Sequence, residues 1–299
     1  MPELIIIAIV CLPQEANAVI IAFSKEILMF KELSLEGKTA IITGAGRGLG
    51  KALALTFAEA GADIAAVSRT VSDLEDTANE VRKLGRQCVI IPTDVTNEDQ
   101  VKVMAKKAMA EFGKIDILVN NAGVEVAKPI LPLPDLKTPA GYDPDPTPLS
   151  LKEWQAVMSL NVNSVFMCSR EVGQYMIEKR QGKIINIASG LGVKPTPYLI
   201  AYGVSKAAVA YFSRCLSLEW ARYNIYVNAL APGPLESDLM SRLTGGYDPK
   251  VLGRYLKDIP MRRLGQTREI AIMAVFLASK ASDYMTGQVV GMDGGGSAR

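Results

Sequence analysis

From Lys38 onward the chain alternates between two hydrophobic repeats. Short runs rich in β-branched and small apolar residues occur at Thr39–Thr43, Asp63–Val67, Cys88–Ile91, Ile115–Val119, Ile184–Ile187, Ile225–Leu230 and Gln288–Met292. Each run is four to six residues long, the length of a buried strand. Between them lie stretches whose apolar positions recur at helical spacing. These predict helices at Lys51–Ala60 (closed by Gly61), Val71–Leu84 (ending at Gly85), Glu98–Phe112 (stopped at Gly113), Leu151 to about Lys179, Lys206–Arg222 and Glu269–Ala278.

Repeated strand-helix units with wholly apolar strands imply a parallel sheet covered on both faces. Right-handed crossovers then build an α/β doubly wound (Rossmann-type) fold of three layers with about seven parallel strands. No charged linker or solenoid-type repeat interrupts the pattern, so residues 31–299 read as one domain. Residues 1–30 read as an N-terminal extension. Leu4–Leu12 is strongly apolar but far short of the roughly 20 residues of a membrane span. Ala16-Asn17-Ala18 has the form of a signal-peptidase site, but no Lys or Arg precedes it. The favoured reading places the natural start at Met29, with a signal or a packed helix as the alternatives.

One segment breaks the rhythm. Residues 129–148 hold seven prolines and no repeat of either kind. Proline fixes φ and removes donors, so this insert is an extended surface excursion. It follows the fourth strand on the carboxyl edge of the sheet, where α/β proteins take ligands. A substrate-side flap and an idle insertion are equally compatible with it.

Composition narrows the chemistry. The 299 residues include no histidine, which removes Ser-His-Asp and Cys-His catalysis and the usual His-containing metal centres. Proton transfer falls to Tyr, Lys, Cys, a carboxylate or water. The four cysteines form no CxxC pair, which argues against a disulfide framework or a metal site and fits a reducing cytoplasm. Cys168 and Cys215 fall in apolar helical stretches and read as small core residues. A formal charge of +2 with no basic stripe gives no reason to expect nucleic acid or a membrane as partner.

The first strand runs into Thr43-Gly44-Ala45-Gly46-Arg47-Gly48-Leu49-Gly50. Glycines there permit a tight turn close to a pyrophosphate, and the following helix N-terminus supplies free N–H groups. The strict GxGxxG spacing is not met. This octet resembles the TGxxxGxG signature of the short-chain dehydrogenase/reductase family. Four further elements stand in register: Asn120-Asn121-Ala122-Gly123, Asn161, Ser189 with Tyr202-Gly203-Val204-Ser205-Lys206, and Pro232-Gly233. The likeness runs from Leu35 to Gly295, interrupted mainly by the insert.

By this resemblance, Gly44, Arg47, Gly48, Leu49 and Gly50 would hold a dinucleotide pyrophosphate. Asp94 and Val95 would meet the adenine, while Asn121, Ala122 and Gly123 would line the adenosine side. Pro232 and Gly233 would follow the sixth strand at the cofactor's other end. The choice between NADP(H) and NAD(H) falls to the end of the second strand, where an acid would bind the ribose 2′-OH. Ser68 and Arg69 stand there instead, which favours NADP(H) and leaves NAD(H) possible.

The resemblance also makes Tyr202 the acid/base, with Lys206 lowering its pKa and binding the nicotinamide ribose. Ser189 would hydrogen-bond the substrate oxygen, and Asn161 would anchor a water leading protons to solvent. Residues four apart share a helix face, so a Lys there can act on a phenol. One cation at about 4 Å and an effective dielectric of 20 is worth at most about 4 kcal/mol. The implied activity is NAD(P)(H)-dependent interconversion of a carbonyl and a secondary alcohol. A small sugar acid or polyol is the favoured substrate. A 3-oxoacyl group on acyl carrier protein is the runner-up, with Arg180 at a docking position but Tyr223 at the second. A non-catalytic NADP-binding regulator is the rival of another class. The segment from Pro234 to Pro260 would form the family's substrate loop, and the resemblance implies a homotetramer.

Overall fold

The computed structural model describes residues 30–132, 145–236 and 246–298. The proposed extension before Phe30, the middle of the proline-rich insert and part of the expected substrate loop therefore lie outside the described residues.

The strands are β1 (Thr39–Thr43), β2 (Asp63–Ser68), β3 (Cys88–Pro92), β4 (Ile117–Asn120), β5 (Gly182–Ile187), β6 (Ile225–Pro232) and β7 (Val289–Met292). They form one seven-stranded sheet in the order β3-β2-β1-β4-β5-β6-β7, and every pairing is parallel. The chain winds outward first from β1 to β3 and then from β4 to β7. The carboxyl ends of β1 and β4 therefore flank the switch point, where the flanking loops part and leave a crevice.

Successive strand residues serve opposite faces, as the two-residue period of a strand requires. Ala40 and Ile42 pack in one buried cluster with Leu53 and Phe57 of α1 (Gly48–Glu59), Leu74 and Val81 of α2 (Val71–Lys83), and Ile270 of α8 (Thr267–Ala278). Ile41, between them, packs on the other face with Val101 and Met104 of α3 (Glu98–Phe112), Val172 and Met176 of α5 (Ser164–Lys179), and Leu216 of α6 (Ile200–Trp220). Trp220 belongs to this second layer, and its ring tip occupies the space a side chain at Gly173 would need.

Three departures from the sequence reading bear on the site. The long helix expected from Leu151 is α4 (Leu151–Met158), a π-helical turn at Ser159–Asn163 and then α5. Helix α4 starts in a capping box between Ser150 and Glu153. Helix α6 begins at Ile200 rather than Lys206, so Tyr202 and Lys206 lie within it. Its N-cap is Leu199, which makes no side-chain cap bond, so no capping residue marked the start. A short helix, α7 (Pro249–Leu256), stands in the expected substrate loop. Of the cysteines, Cys88 and Cys168 are buried, whereas Cys215 is exposed and is not the core residue its surroundings implied.

Candidate active site

The turn after β1 is built around two glycines. Gly44 has φ +68°, which L side chains rarely adopt. Gly50, in the first turn of α1, lies so close beneath it that an added Cβ would fall 1.9 Å from the Gly44 carbonyl oxygen. Asn121, just after β4, locks this arrangement: its Nδ2 donates to the Thr43 carbonyl at 2.9 Å, and its N–H donates to Thr43 Oγ1 at 2.9 Å. Gly50→Ala should therefore lower NADPH affinity at least about tenfold and lower Tm by several degrees, the mark of an overpacked site. Cofactor titration and thermal melts check this; wild-type affinity would show that the turn tolerates the methyl group.

Above this turn opens a cleft of about 1160 Å³. That exceeds the roughly 300–1,000 Å³ of an ordinary small-ligand pocket. Gly44, Arg47, Gly48, Leu49 and Gly50 line one end, with Ser68 and Arg69 from β2, Asp94 and Val95 after β3, and Asn121, Ala122 and Gly123 after β4. Ser189, Tyr202, Lys206, Pro232 and Gly233 line the other. Asp94 also caps its own turn, its Oδ1 accepting from Thr96 N and Oγ1 at 3.0 and 2.7 Å. Those bonds hold its carboxyl below the usual range.

Asn161 does not line this cleft, because the π turn carries it beneath the floor, where it is buried. Its Nδ2 donates to the Val124 carbonyl and to Ser205 Oγ, each at 2.9 Å, and its Oδ1 accepts from Val124 N at 2.8 Å. Both amide hydrogens are thereby used, and one acceptor position on Oδ1 remains. Ser205 completes the link by donating to the Tyr202 carbonyl at 2.7 Å. A Cβ at Gly123 would sit 3.3 Å from Asn161 Oδ1 and 3.5 Å from Lys206 Nζ. Any larger residue there would fill the space beside the lysine.

Lys206 Nζ donates to the Ile187 carbonyl at 2.7 Å and lies 5.7 Å from the centre of the Tyr202 ring. Burial pulls its pKa down to about 8. Burial, with the Glu125 carboxylate adding to it, pushes the Tyr202 phenol up to about 12, opposed by a hydrogen bond to Ser189. Desolvation is the largest influence on each of the two groups.

Several further lining residues lie outside the motifs named above: Asp73 and Thr70 at the glycine-turn end, and Glu125 and Lys194 at the other, joined there by Tyr255 and Asp258 of the expected substrate loop. Thr70 and Asp73 stand just beyond the strand-end residues that were read, so only the packing of α2 against the glycine turn places them. The others come from loops or from α7, which no motif marks.

The cleft, the glycine turn and the Tyr-Lys pair share one fold whose sequence matches the family model for short chain dehydrogenase over residues 38–247. The chain is a short-chain dehydrogenase. It is 38% identical over 275 residues to 2-dehydro-3-deoxy-D-gluconate 5-dehydrogenase of Dickeya dadantii (strain 3937), covering 91% of this chain and 100% of the relative. Among solved structures it resembles a gluconate 5-dehydrogenase from Burkholderia cenocepacia J2315 in complex with NADP and tartrate, with TM-score 0.79 and 34% identity, covering 90% of this chain and 98% of the other. It resembles equally 7α-hydroxysteroid dehydrogenase complexed with NADH and 7-oxo glycochenodeoxycholic acid, with TM-score 0.79, 34% identity and the same coverage. This short-chain dehydrogenase is thus a nicotinamide-dependent oxidoreductase that interconverts a carbonyl and a secondary alcohol. The glycine-floored cleft fits such a cofactor: it has backbone within reach of a pyrophosphate and room beside Lys206 that a side chain at Gly123 would fill.

Proposed function

We propose that the enzyme favours NADP(H) and acts on a small hydroxylated keto compound, a sugar acid or a polyol. The observation carrying the cofactor choice is that Arg47 and Arg69 line the same end of the cleft with no ion-pair partner among the described residues. Arg69, close enough to Asp94 to help lower that carboxyl's pKa, is the group for a 2′-phosphate, with Arg47 assisting from the glycine turn. Arg69→Ala should lower NADPH-over-NADH selectivity in kcat/KM by about tenfold or more, the worth of one charge-assisted contact. Unchanged selectivity would overturn the assignment.

When bound, the nicotinamide supplies or accepts the hydride. Tyr202 gives a proton to the nascent alkoxide, or takes one from the alcohol, at its phenol oxygen. Ser189 hydrogen-bonds the substrate oxygen beside it. Lys206 holds positive charge under that oxygen and would bind the nicotinamide ribose. Asn161 fixes the Val124 backbone and, through Ser205, the turn of α6 carrying Tyr202; its remaining acceptor position is where a water would sit. Arg47 with the turn glycines takes the pyrophosphate, Asp94 and Val95 the adenine, and Pro232 and Gly233 the nicotinamide end.

The sugar-acid dehydrogenases among its relatives support the substrate class. A cofactor-linked screen of ketones, thioesters, sugar acids and polyols tests it; turnover confined to acyl thioesters would replace it with the second reading. That reading, a 3-oxoacyl group on acyl carrier protein, has a surface feature in its favour besides relatives of that activity. Arg180 and Arg222 each lie 5.3 Å from the Tyr223 ring centre, so two cations meet at the place where the expected second basic residue is missing.

We place the enzyme in the cytoplasm as a homotetramer. The free cysteines suit a reducing compartment, and no helix among the described residues is long and apolar enough to cross a membrane. Exposed Phe166 on α5 and Tyr211 and Leu218 on α6 supply apolar surface for subunit contact. A monomer at assay concentration by light scattering would rule the tetramer out.

A further inference from the structure

Helix α2 carries an acid where the proposed cofactor preference would not want one. Asp73 is its third residue, after Thr70 as N-cap. An acid at this position commonly turns back to the N-cap N–H and closes a capping box. Here no such bond forms, and the Asp73 carboxylate has no hydrogen-bond or ion-pair partner among the described residues. It leans against the glycine turn instead. A Cβ at Gly46 would fall 2.7 Å from Asp73 Cβ and 3.2 Å from Ser68 Oγ. Asp73 thus joins Arg47, Ser68, Arg69 and Thr70 around one end of the cleft.

Four charges meet there: Arg47, Arg69, Asp94, which is held by Thr96 and feels Arg69, and Asp73, whose carboxylate has no such partner among the described residues. A dianionic 2′-phosphate gains from the guanidiniums but loses from a carboxylate within the same small space. A ribose diol has the opposite balance, because a carboxylate accepts both hydroxyl protons. We propose that Asp73 is a cofactor-specificity residue: it accepts the adenosine ribose hydroxyls of NAD(H), holds down the preference for the 2′-phosphate, and keeps both nicotinamides usable. The proposal rests on the reading that this end of the cleft takes the adenosine ribose.

The test is Asp73→Asn, nearly isosteric and still able to sit at the start of α2, with Asp73→Ser as a second variant. Binding of NADPH and NADH is followed by fluorescence titration, alongside thermal melts without cofactor. The expected result is a rise in the NADPH/NADH affinity ratio of about tenfold, equal to about 1.4 kcal/mol. NADPH binding should tighten and NADH binding weaken, with Tm nearly unchanged. A ratio that moves less than about twofold in both variants overturns the proposal. So does a fall in Tm with the ratio constant, which would make Asp73 a helix-dipole residue only. A wild-type preference for NADH would defeat the Arg69 reading, yet the change in ratio would still judge Asp73.

Discussion

Replacing Tyr202 with Phe should reduce kcat by about 10³-fold or more while NADPH affinity stays within about threefold. Positioned proton transfer is worth about 10²–10⁴ in rate, and the chain has no histidine to substitute. The variant removes one oxygen from the cleft and leaves the glycine turn, Arg47 and Arg69 untouched. Direction matters as well. With the phenol pushed up to about 12, carbonyl reduction, which needs the protonated form, should hold across neutral pH. Alcohol oxidation, which needs the phenolate, should climb as pH rises. Stopped-flow measurement of both directions against pH checks the pair of statements. A Phe variant retaining a tenth of wild-type kcat would remove Tyr202 from the chemistry.

The same phenol ties activity to stability. Tyr202 and Tyr255 are both raised to about 12 by burial. In the unfolded chain each titrates near 10. Between those values the folded state binds more protons, so folding stability falls as pH climbs from about 10 to about 12.

What could be read from the sequence was whatever repeats or sits in a fixed motif. The strands were legible because β1, β2 and β4 are buried on both faces and must be apolar throughout. The glycine turn was legible because only Gly accommodates the approach of Gly50 to Gly44. The π turn was not, because a helix with one extra residue keeps an amphipathic pattern on either side of Ser159–Asn163. Yet that turn decides where Asn161 points. The four-residue spacing allowed Tyr202 and Lys206 to share a helix face, although the expected helix began only at Lys206, and it said nothing of how deeply they would be buried. Asp73, Glu125 and Tyr255 belong to no motif; they reach the cleft through the packing of α2, the loop after β4 and α7.

Lys206→Met should abolish turnover and make the protein more stable at neutral pH. Lys206 is 5% exposed; among the described residues no carboxylate is ion-paired to it and its side-chain hydrogen bond goes to the Ile187 carbonyl. Burial takes its pKa from 10.5 to about 8, which corresponds to an order-of-magnitude cost of about 3 kcal/mol in the folded state at pH 7. Losing the bond to Ile187 gives back about 1 kcal/mol. The net gain of about 2 kcal/mol should raise Tm by about 3 °C. The sign of the pH dependence separates this from ordinary repacking. Between about 8 and 10.5 the unfolded chain binds more protons at this residue than the folded one, so wild-type stability rises with pH across that window. The advantage of Met should therefore be greatest at pH 7 and shrink towards pH 10. Melts at pH 7 and 10 decide it; a Met variant less stable than wild type at both would show that the ammonium holds the site together. A lysine that destabilised the fold and whose loss ended turnover would be there for chemistry, the buried charge being the cost of a cation close to the Tyr202 ring.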